Sequence, residues 1–433
     1  MCRDGLQEKS EDFCAEILYF CGAAWRRACN RGFLRGWTLR MLTLTRALMD
    51  LDQFYPALSD LRGRAKRRLP RFVWEFLDSS TGDEQTNVRN RADLDALCFL
   101  PSVLHGEQTP DLTTNLLGAS YKLPFGVSPV GMSGLVWPGA EKILARAATA
   151  AGIPYCLSTV ATATPEEVGP LTGSKGWFQL YPPRDEATRK DLLDRAKASG
   201  FSTLVLTVDV PVASRRERQI RGGLTQPPKL NARLLAQVAC RPAWAMAMAQ
   251  NGLPHMKTLD AYVQDVSSRS STAHVGYLLR TSPDWDYLHW LRDNWDGPFV
   301  VKGVMRAEDA QRLDAAGVDA IWVSNHAGRQ FDGAPSVASV LPRIRDVTNL
   351  PIIADGSISG GLDILRLIAL GADICMLGRG FHYALAALGG RGPKHLIDIL
   401  TKDLVANLGQ LGAIHPAELR GKILRTGSGN PPV

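Results

Sequence analysis

The chain has 433 residues, 45% of them hydrophobic and 21% charged, an ordinary globular composition that excludes a disordered chain; one large domain of α/β-barrel size with an appendage fits this length as well as two domains do. No apolar run reaches the about 18 residues a spanning helix needs. The net charge of +7 is dispersed, without Lys/Arg tracts, so no nucleic-acid-binding tail is expected and the partners favoured are acidic small molecules or an anionic membrane surface.

The first 50 residues form an extension, expected to be disordered or amphipathic. Six arginines (Arg26, Arg27, Arg31, Arg35, Arg40, Arg46) and no acid fall within 17–49, interleaved with Trp25, Phe33 and Trp37. Three readings remain open: an organelle-targeting segment, a membrane-surface helix, or dispensable sequence ahead of a start at Met41 or Met49. The eight cysteines (2, 14, 21, 29, 98, 156, 240 and 375) show no CxxC spacing. They read as reduced thiols of a cytoplasmic protein, and no metal site is expected. Residues 51–433 form the domain proper. Within it, 67–120, including LPRFVWEFLDSS, is predicted to pack as helices and a short strand over the repeating region that begins at residue 125.

From residue 125 to 390 a unit recurs: an apolar strand, a polar or glycine end, a helix, and a glycine before the next strand. The predicted strands are 125–130, 153–158, 176–181, 203–208, 298–302, 319–323, 351–355 and 373–378. They are apolar without alternation, as strands buried on both faces must be. Gly152, Gly200, Gly317 and Gly371 suit left-handed helix caps. Eight such units predict a closed (β/α)8 TIM barrel with an N-terminal helical segment. The runner-up, a doubly wound sheet, lacks the GxGxxG expected after its first strand. The insertion 211–285 is too long for a simple loop. Its RPAWAMAMAQNGLP segment is either an active-site lid or membrane contact, or a helix packed on the barrel.

In a barrel the chemistry sits at the C-terminal strand ends. Here those ends carry Pro129-Val130-Gly131, Ser158, Gln179 with Tyr181, Thr207 with Asp209, Lys302, Ser324 with His326, Asp355-Gly356 and Gly378-Arg379. In VSNHAGRQFDGAPS, His326 and Arg329 lie three residues apart. A histidine takes a proton near neutral pH, and an arginine holds a carboxylate through two parallel bonds. The pair suggests proton removal from a small carboxylic acid. The alternative is a solvated loop at a strand end.

The motifs SNHAGRQ with FDGAPS, FQLY, LTVDVP followed by RRE, VVKGV, and ALGAD followed by MLGRG occur in order at the corresponding strands. With these the chain resembles the FMN-dependent 2-hydroxy acid dehydrogenase and oxidase family, which includes L-lactate dehydrogenase, glycolate oxidase and mandelate dehydrogenase. The resemblance, from about Asp52 to Gly412, implies an oxidoreductase with FMN as cofactor that converts an L-2-hydroxy acid, lactate-like or larger, to the 2-oxo acid. The electron acceptor beyond it would be oxygen, a cytochrome or a quinone. It further makes a homotetramer plausible, while peripheral membrane contact is an expectation of the N-terminal segment and the insertion.

Residue by residue, the resemblance makes His326 the base, Asp209 its orienting carboxylate, and Lys302 a cation near flavin N1. Arg329 and Arg216 become the carboxylate clamp, and Tyr181 a hydroxyl for the substrate oxygen. Pro129, Val130, Gly131, Ser158, Gln179, Thr207, Lys302 and Ser324 would line the isoalloxazine and ribityl chain. Asp355, Gly356, Ser357, Ser359, Gly378 and Arg379 would hold the phosphate. Three departures stand out. Phe76 replaces a tyrosine that binds the substrate carboxylate in most members. Val160 stands where glycolate oxidases have tryptophan. GSISGG replaces GGVRRG, so that Ser359 takes an arginine's place. These leave two rivals: an FMN enzyme acting on a modified peptide or amine, and a flavin-binding protein with little turnover.

Overall fold

The computed structural model describes residues 50–223, 232–262 and 282–425. The chain divides into two units, Met1–Phe54 and Tyr55–Val433. Of the first, residues 50–54 are described, with a short helix at Leu51–Phe54. The arginine-rich segment 17–49, the two candidate starts and Cys2, Cys14, Cys21 and Cys29 lie outside the described residues. The barrel and its cavity belong to the second unit.

Eight parallel strands follow one another around a barrel: β1 (Phe125–Val127), β2 (Cys156–Ser158), β3 (Gly176–Leu180), β4 (Phe201–Thr207), β5 (Phe299–Val304), β6 (Ala320–Val323), β7 (Ile352–Ala354) and β8 (Ile374–Leu377). Each pairs with its sequence neighbour from β2 to β8, and β8 pairs with β1. The seam between β1 and β2 is joined by a Val127–Tyr155 bridge and by the Val127 N–H bond to the Pro154 carbonyl at 2.9 Å. That return of the last strand to the first excludes an open doubly wound sheet.

Side chains alternate between two cores. Outward residues such as Leu204 and Leu206 pack under the helices, while inward ones such as Val205, Val300, Ile353 and Ile374 fill the barrel. Two fully buried tryptophans, Trp177 and Trp322, meet edge to face at 6.2 Å in that interior. The lower end is closed by the hairpin Thr114–Leu116 and Ala119–Tyr121, whose Leu116 and Tyr121 enter the inner core. The Trp177 indole N–H donates to the Tyr121 hydroxyl at 3.2 Å. The interior is therefore a packed core, and space is left only at the top.

Over that top lie α1 (Leu58–Arg68), α2 (Arg71–Asp78) and α3 (Gln85–Asp95). The insertion after β4 forms short helices, including Pro242–Asn251. Trp244 and Met248 of that helix are buried. Trp244 meets Phe72 of α2 edge to face at 5.7 Å and donates its indole N–H to the Leu135 carbonyl at 3.0 Å. This is the packed-helix reading, but the same insertion also brings Met256 to the cavity at the top of the barrel. Among the described residues, no helix is long and apolar enough to cross a membrane. Cys98, Cys156, Cys240 and Cys375 are free thiols.

Candidate active site

The loop after β6 turns through three successive positive-φ residues, His326 (53°), Ala327 (52°) and Gly328 (71°). Left-handed non-glycine residues cost about 1–3 kcal/mol each and persist only when neighbours over-determine them. Here they do. Ser80 Oγ donates to the Ala327 carbonyl at 2.8 Å, the Thr81 N–H to the Gly328 carbonyl at 3.0 Å, and the His326 N–H to Ser324 Oγ at 3.1 Å. Asn325 and Asn90 exchange reciprocal amide bonds at 2.7 and 2.9 Å. A Cβ on Gly328 would meet the Asn87 nitrogen at 3.1 Å, so glycine is needed where the loop presses on α3.

That turn presents His326 Nδ1 to both oxygens of Asp209, at 3.1 and 3.2 Å. Asp209 follows β4 and leans across β5 at Gly303, where a Cβ would lie 2.6 Å from its own. An acceptor at Nδ1 assigns the ring proton there and leaves Nε2 with the lone pair. Burial pulls the His326 pKa down, and Asp209 offsets this only in part against the nearby Lys302 and Arg216 charges. The ring is therefore neutral at pH 7. Asp209 stays ionised: burial opposes its charge, but His326 and Lys302 outweigh that and hold its pKa below the usual carboxylate value.

Lys302, at the end of β5, is almost fully buried. Its ammonium donates to Ser324 Oγ at 2.8 Å and lies 3.3 Å from Asp355 Oδ2. Burial disfavours this charge, yet Asp355 and Asp209 more than compensate, so its pKa is raised. Ser324 Oγ and the Trp322 indole N–H both donate to the same Asp355 oxygen at 3.0 Å. Asp355 thus joins the lysine cluster at the base of the loop after β7.

Arg329 has a different environment. Its guanidinium donates to the carbonyls of Phe76 (2.9 Å), Leu77 (3.2 Å) and Ser79 (2.8 Å), at the C-terminal end of α2. No ion pair to it occurs among the described residues. Burial and the neighbouring Arg216 and Arg379 depress its pKa. Arginine does not give up its proton in proteins. The crowding of Arg216 and Arg379 on Arg329 therefore favours an anion beside them. Arg216, itself at a positive φ of 48°, is seated by its N–H on Thr81 Oγ1 at 3.3 Å and its Nε on Ser214 Oγ at 3.2 Å.

These groups open onto one cavity of about 680 Å³. Its lining includes Lys302, His326, Arg329, Arg216 and Tyr181 together with Phe76, Val160 and Met256, and Pro129, Val130 and Gly131 after β1. Asp355, Gly356, Ser357 and Ser359 after β7 and Gly378 and Arg379 after β8 line it as well. Burial, then Asp209, raise the Tyr181 pKa, so the phenol keeps its proton.

Four expected residues, Ser158, Gln179, Thr207 and Ser324, lie just beneath the lining. Gln179 Oε1 accepts from Ser158 Oγ at 2.9 Å, while its Nε2 has no partner among the described residues, nor have the buried Thr207 Oγ1, Ser128 Oγ and Asp355 Oδ1. Orphaned buried polar atoms are costly. Four of them, two on cavity-lining residues (Ser128 and Asp355) and two at the adjoining ends of β3 and β4, together with the cations of the lining, fit a planar polar ring with a charged tail such as FMN.

On the loop after β7 the Ser359 hydroxyl donates to Asp363 at 2.7 Å and accepts from Arg91 Nη1 at 3.0 Å. Sequence reasoning did not single out Arg91, Asn87, Met256 or Asp78. Asp78 is 4% exposed and accepts from Arg62 Nε (2.9 Å), Arg218 Nη2 (3.0 Å) and the Tyr383 hydroxyl (2.8 Å). Burial alone would raise its pKa, but Tyr383, Arg62 and Arg218 lower it overall. The available signal was an acid closing the apolar helix FVWEFLD, but its partners lie far away in the chain.

Comparison with known proteins agrees with this geometry. The sequence profile of the FMN-dependent dehydrogenases matches residues 65–426. The L-lactate dehydrogenase of Ectopseudomonas mendocina (strain ymp) is 40% identical over 374 residues, covering 85% of this chain and 98% of that protein. The L-lactate dehydrogenase of Caulobacter vibrioides (strain NA1000 / CB15N) is 39% identical over 372 residues, covering 84% and 96%. Among solved structures, the monotopic membrane protein (S)-mandelate dehydrogenase superposes with a TM-score of 0.82 at 32% identity, covering 86% of this chain and 99% of that one. Mandelate oxidase superposes with a TM-score of 0.73 at 31% identity, covering 86% and 98%.

Proposed function

The chain belongs to the FMN-dependent dehydrogenase family and oxidises a 2-hydroxy acid to the 2-oxo acid with FMN as cofactor, and from that premise we propose that His326 is the base and Arg329 with Arg216 the carboxylate clamp. The observation that carries this reading is the pairing of a neutral, Asp209-held imidazole with a guanidinium whose hydrogen bonds among the described residues go to backbone carbonyls, in one cavity.

The substrate carboxylate binds to Arg329 and Arg216, offsetting one of their two charges, and fixes C2 and its hydroxyl near His326 Nε2. His326 accepts one of the two protons that the acid loses, and Asp209 stabilises the resulting imidazolium. The Tyr181 phenol donates to the substrate oxygen. Bound FMN supplies the two-electron acceptor. Gln179, Thr207 and Pro129–Gly131 would hold its ring system over the buried Lys302 cation, while Ser357, Gly378 and Arg379 would hold its phosphate.

The substrate is an L-2-hydroxy acid of lactate size or larger. Val160, Phe76 and Met256 offer an apolar wall to its side chain, and the relatives act on lactate or mandelate by name. We further propose peripheral membrane contact through the insertion, whose Leu235, Met246 and Leu253 are exposed. Such contact suits delivery of electrons to a membrane quinone or cytochrome rather than to oxygen.

Anaerobic mixing with a panel of 2-hydroxy acids of both configurations tests the reading. L-Lactate or a longer L-acid should bleach the yellow absorbance while D-acids leave it. Bleaching by amines or peptides alone, or by nothing in the panel, would remove it.

A further inference from the structure

GSISGG places no arginine on the loop after β7, and the hydroxyl in that position, Ser359, is turned onto Asp363. The loop therefore lacks a cation for the cofactor phosphate. The other side of the cavity end is formed by α3, whose Asn87 and Arg91 stand one turn apart on the same face.

Asn87 Oδ1 accepts from Arg379 Nη2 at 2.7 Å and from Ser357 Oγ at 3.1 Å. One amide oxygen thereby ties the loop after β7 to the loop after β8. With both donors on Oδ1, the orientation of the amide is set, and Nδ2 carries two N–H groups on the opposite side of a residue that lines the cavity. Arg91 is already committed, by Nη1 to the Ser357 carbonyl at 3.1 Å and by Nη2 to Asp363 Oδ1 at 2.8 Å and to Asp95. It buttresses the loop from behind, and of the two it is Asn87 whose Nδ2 has no hydrogen bond among the described residues.

We propose that Asn87 is a phosphate-binding residue of the cofactor site, aligning Arg379 and Ser357 through its carbonyl and donating to the phosphate through its amide. The phosphate is then held by one arginine, one amide and backbone N–H groups, with α3 as the third wall of its site. The assignment rests on the phosphate lying at the ends of β7 and β8.

The test compares FMN with riboflavin, which lacks the phosphate. FMN dissociation is read from free-flavin fluorescence on dilution of the holoprotein, and riboflavin affinity from the stripped protein reloaded with it. Asn87→Leu should weaken FMN binding about ten-fold or more, the size expected for lost bonds to a charged group, and leave riboflavin within two-fold. Asn87→Asp keeps the acceptor for Arg379 and Ser357 but turns a carboxylate on the phosphate. It should weaken FMN further than the leucine variant, again sparing riboflavin, and it carries the test should Asn87→Leu not fold. Equal losses for both flavins would make Asn87 structural only. Unchanged FMN affinity in both variants would also overturn the proposal. A wild-type protein that holds riboflavin as tightly as FMN would instead refute the placement of the phosphate.

Discussion

Replacing Asp209 by asparagine isolates one charge in the proposed mechanism. The amide keeps an acceptor for the His326 Nδ1 proton, so the ring can stay where Gly303 and the left-handed turn put it. What is lost is the carboxylate 3.1 Å from the nitrogen that shares the imidazolium charge. At that distance and an effective dielectric of about 20, the attraction is about 5 kcal/mol. Side-chain exposures of 19% for His326 and 14% for Asp209 admit some screening. The expected loss in the rate of flavin bleaching by substrate is therefore about 10²–10⁴-fold.

The variant also carries a pH signature with a definite sign. Asp209 is the influence that raises the His326 pKa, while burial, Lys302 and Arg216 lower it. Without the carboxylate the pKa falls further, so the acid limb of kcat/KM moves to lower pH although the plateau is lower. Stopped-flow bleaching across pH 5 to 9, together with steady-state kcat/KM, measures both effects. A rate within ten-fold of wild type, or an acid limb displaced upward, would refute the assignment of His326 and Asp209 as base and partner.

Phe76→Tyr places a phenol beside Arg329, whose guanidinium lies 5.9 Å from the ring, and should tighten binding of short acids such as lactate about ten-fold through one hydrogen bond to a charged group; unchanged affinity for short acids would show that the substrate carboxylate lies elsewhere. Lys302→Met leaves Asp355 and Asp209 without their buried cation and should cost about 3–5 kcal/mol in stability as well as weakening sulfite addition to the bound flavin, read by denaturant unfolding and by titration of the yellow absorbance; unaltered sulfite affinity would place the lysine away from the flavin. Trp244→Ala removes a buried indole and its bond to Leu135, a local loss of about 3–5 kcal/mol, and should speed proteolytic cleavage within 232–262 well before the barrel unfolds; no change in cleavage rate would contradict the packed-helix description.

The barrel was legible in the chain because its signals are local. Short apolar strands, glycines after the helices and polar strand ends repeat eight times, and a strand buried on both faces must read that way wherever it lies. The strand-end residues were legible for the same reason: His326, Asp209 and Arg379 lie within three residues of a strand's end and Lys302 lies within β5, so naming the strand names the candidate. Three things depended on contacts between distant segments. The insertion carries Trp244 inward and Met256 to the cavity because of where Phe72 and Leu135 stand, which no window around residue 244 contains. Asp355 sits at the end of its strand as expected, yet its carboxylate is turned by Lys302, Ser324 and Trp322 from two neighbouring strands. Asn87 and Asp78 precede the barrel by dozens of residues and carry no motif. They reach the cavity only because α2 and α3 close over the strand ends, where hydrogen bonds to Arg379, Tyr383 and Arg62 recruit them. A local pattern can name the residues at the strand ends, but only the packing of one segment on another decides which side chains face them.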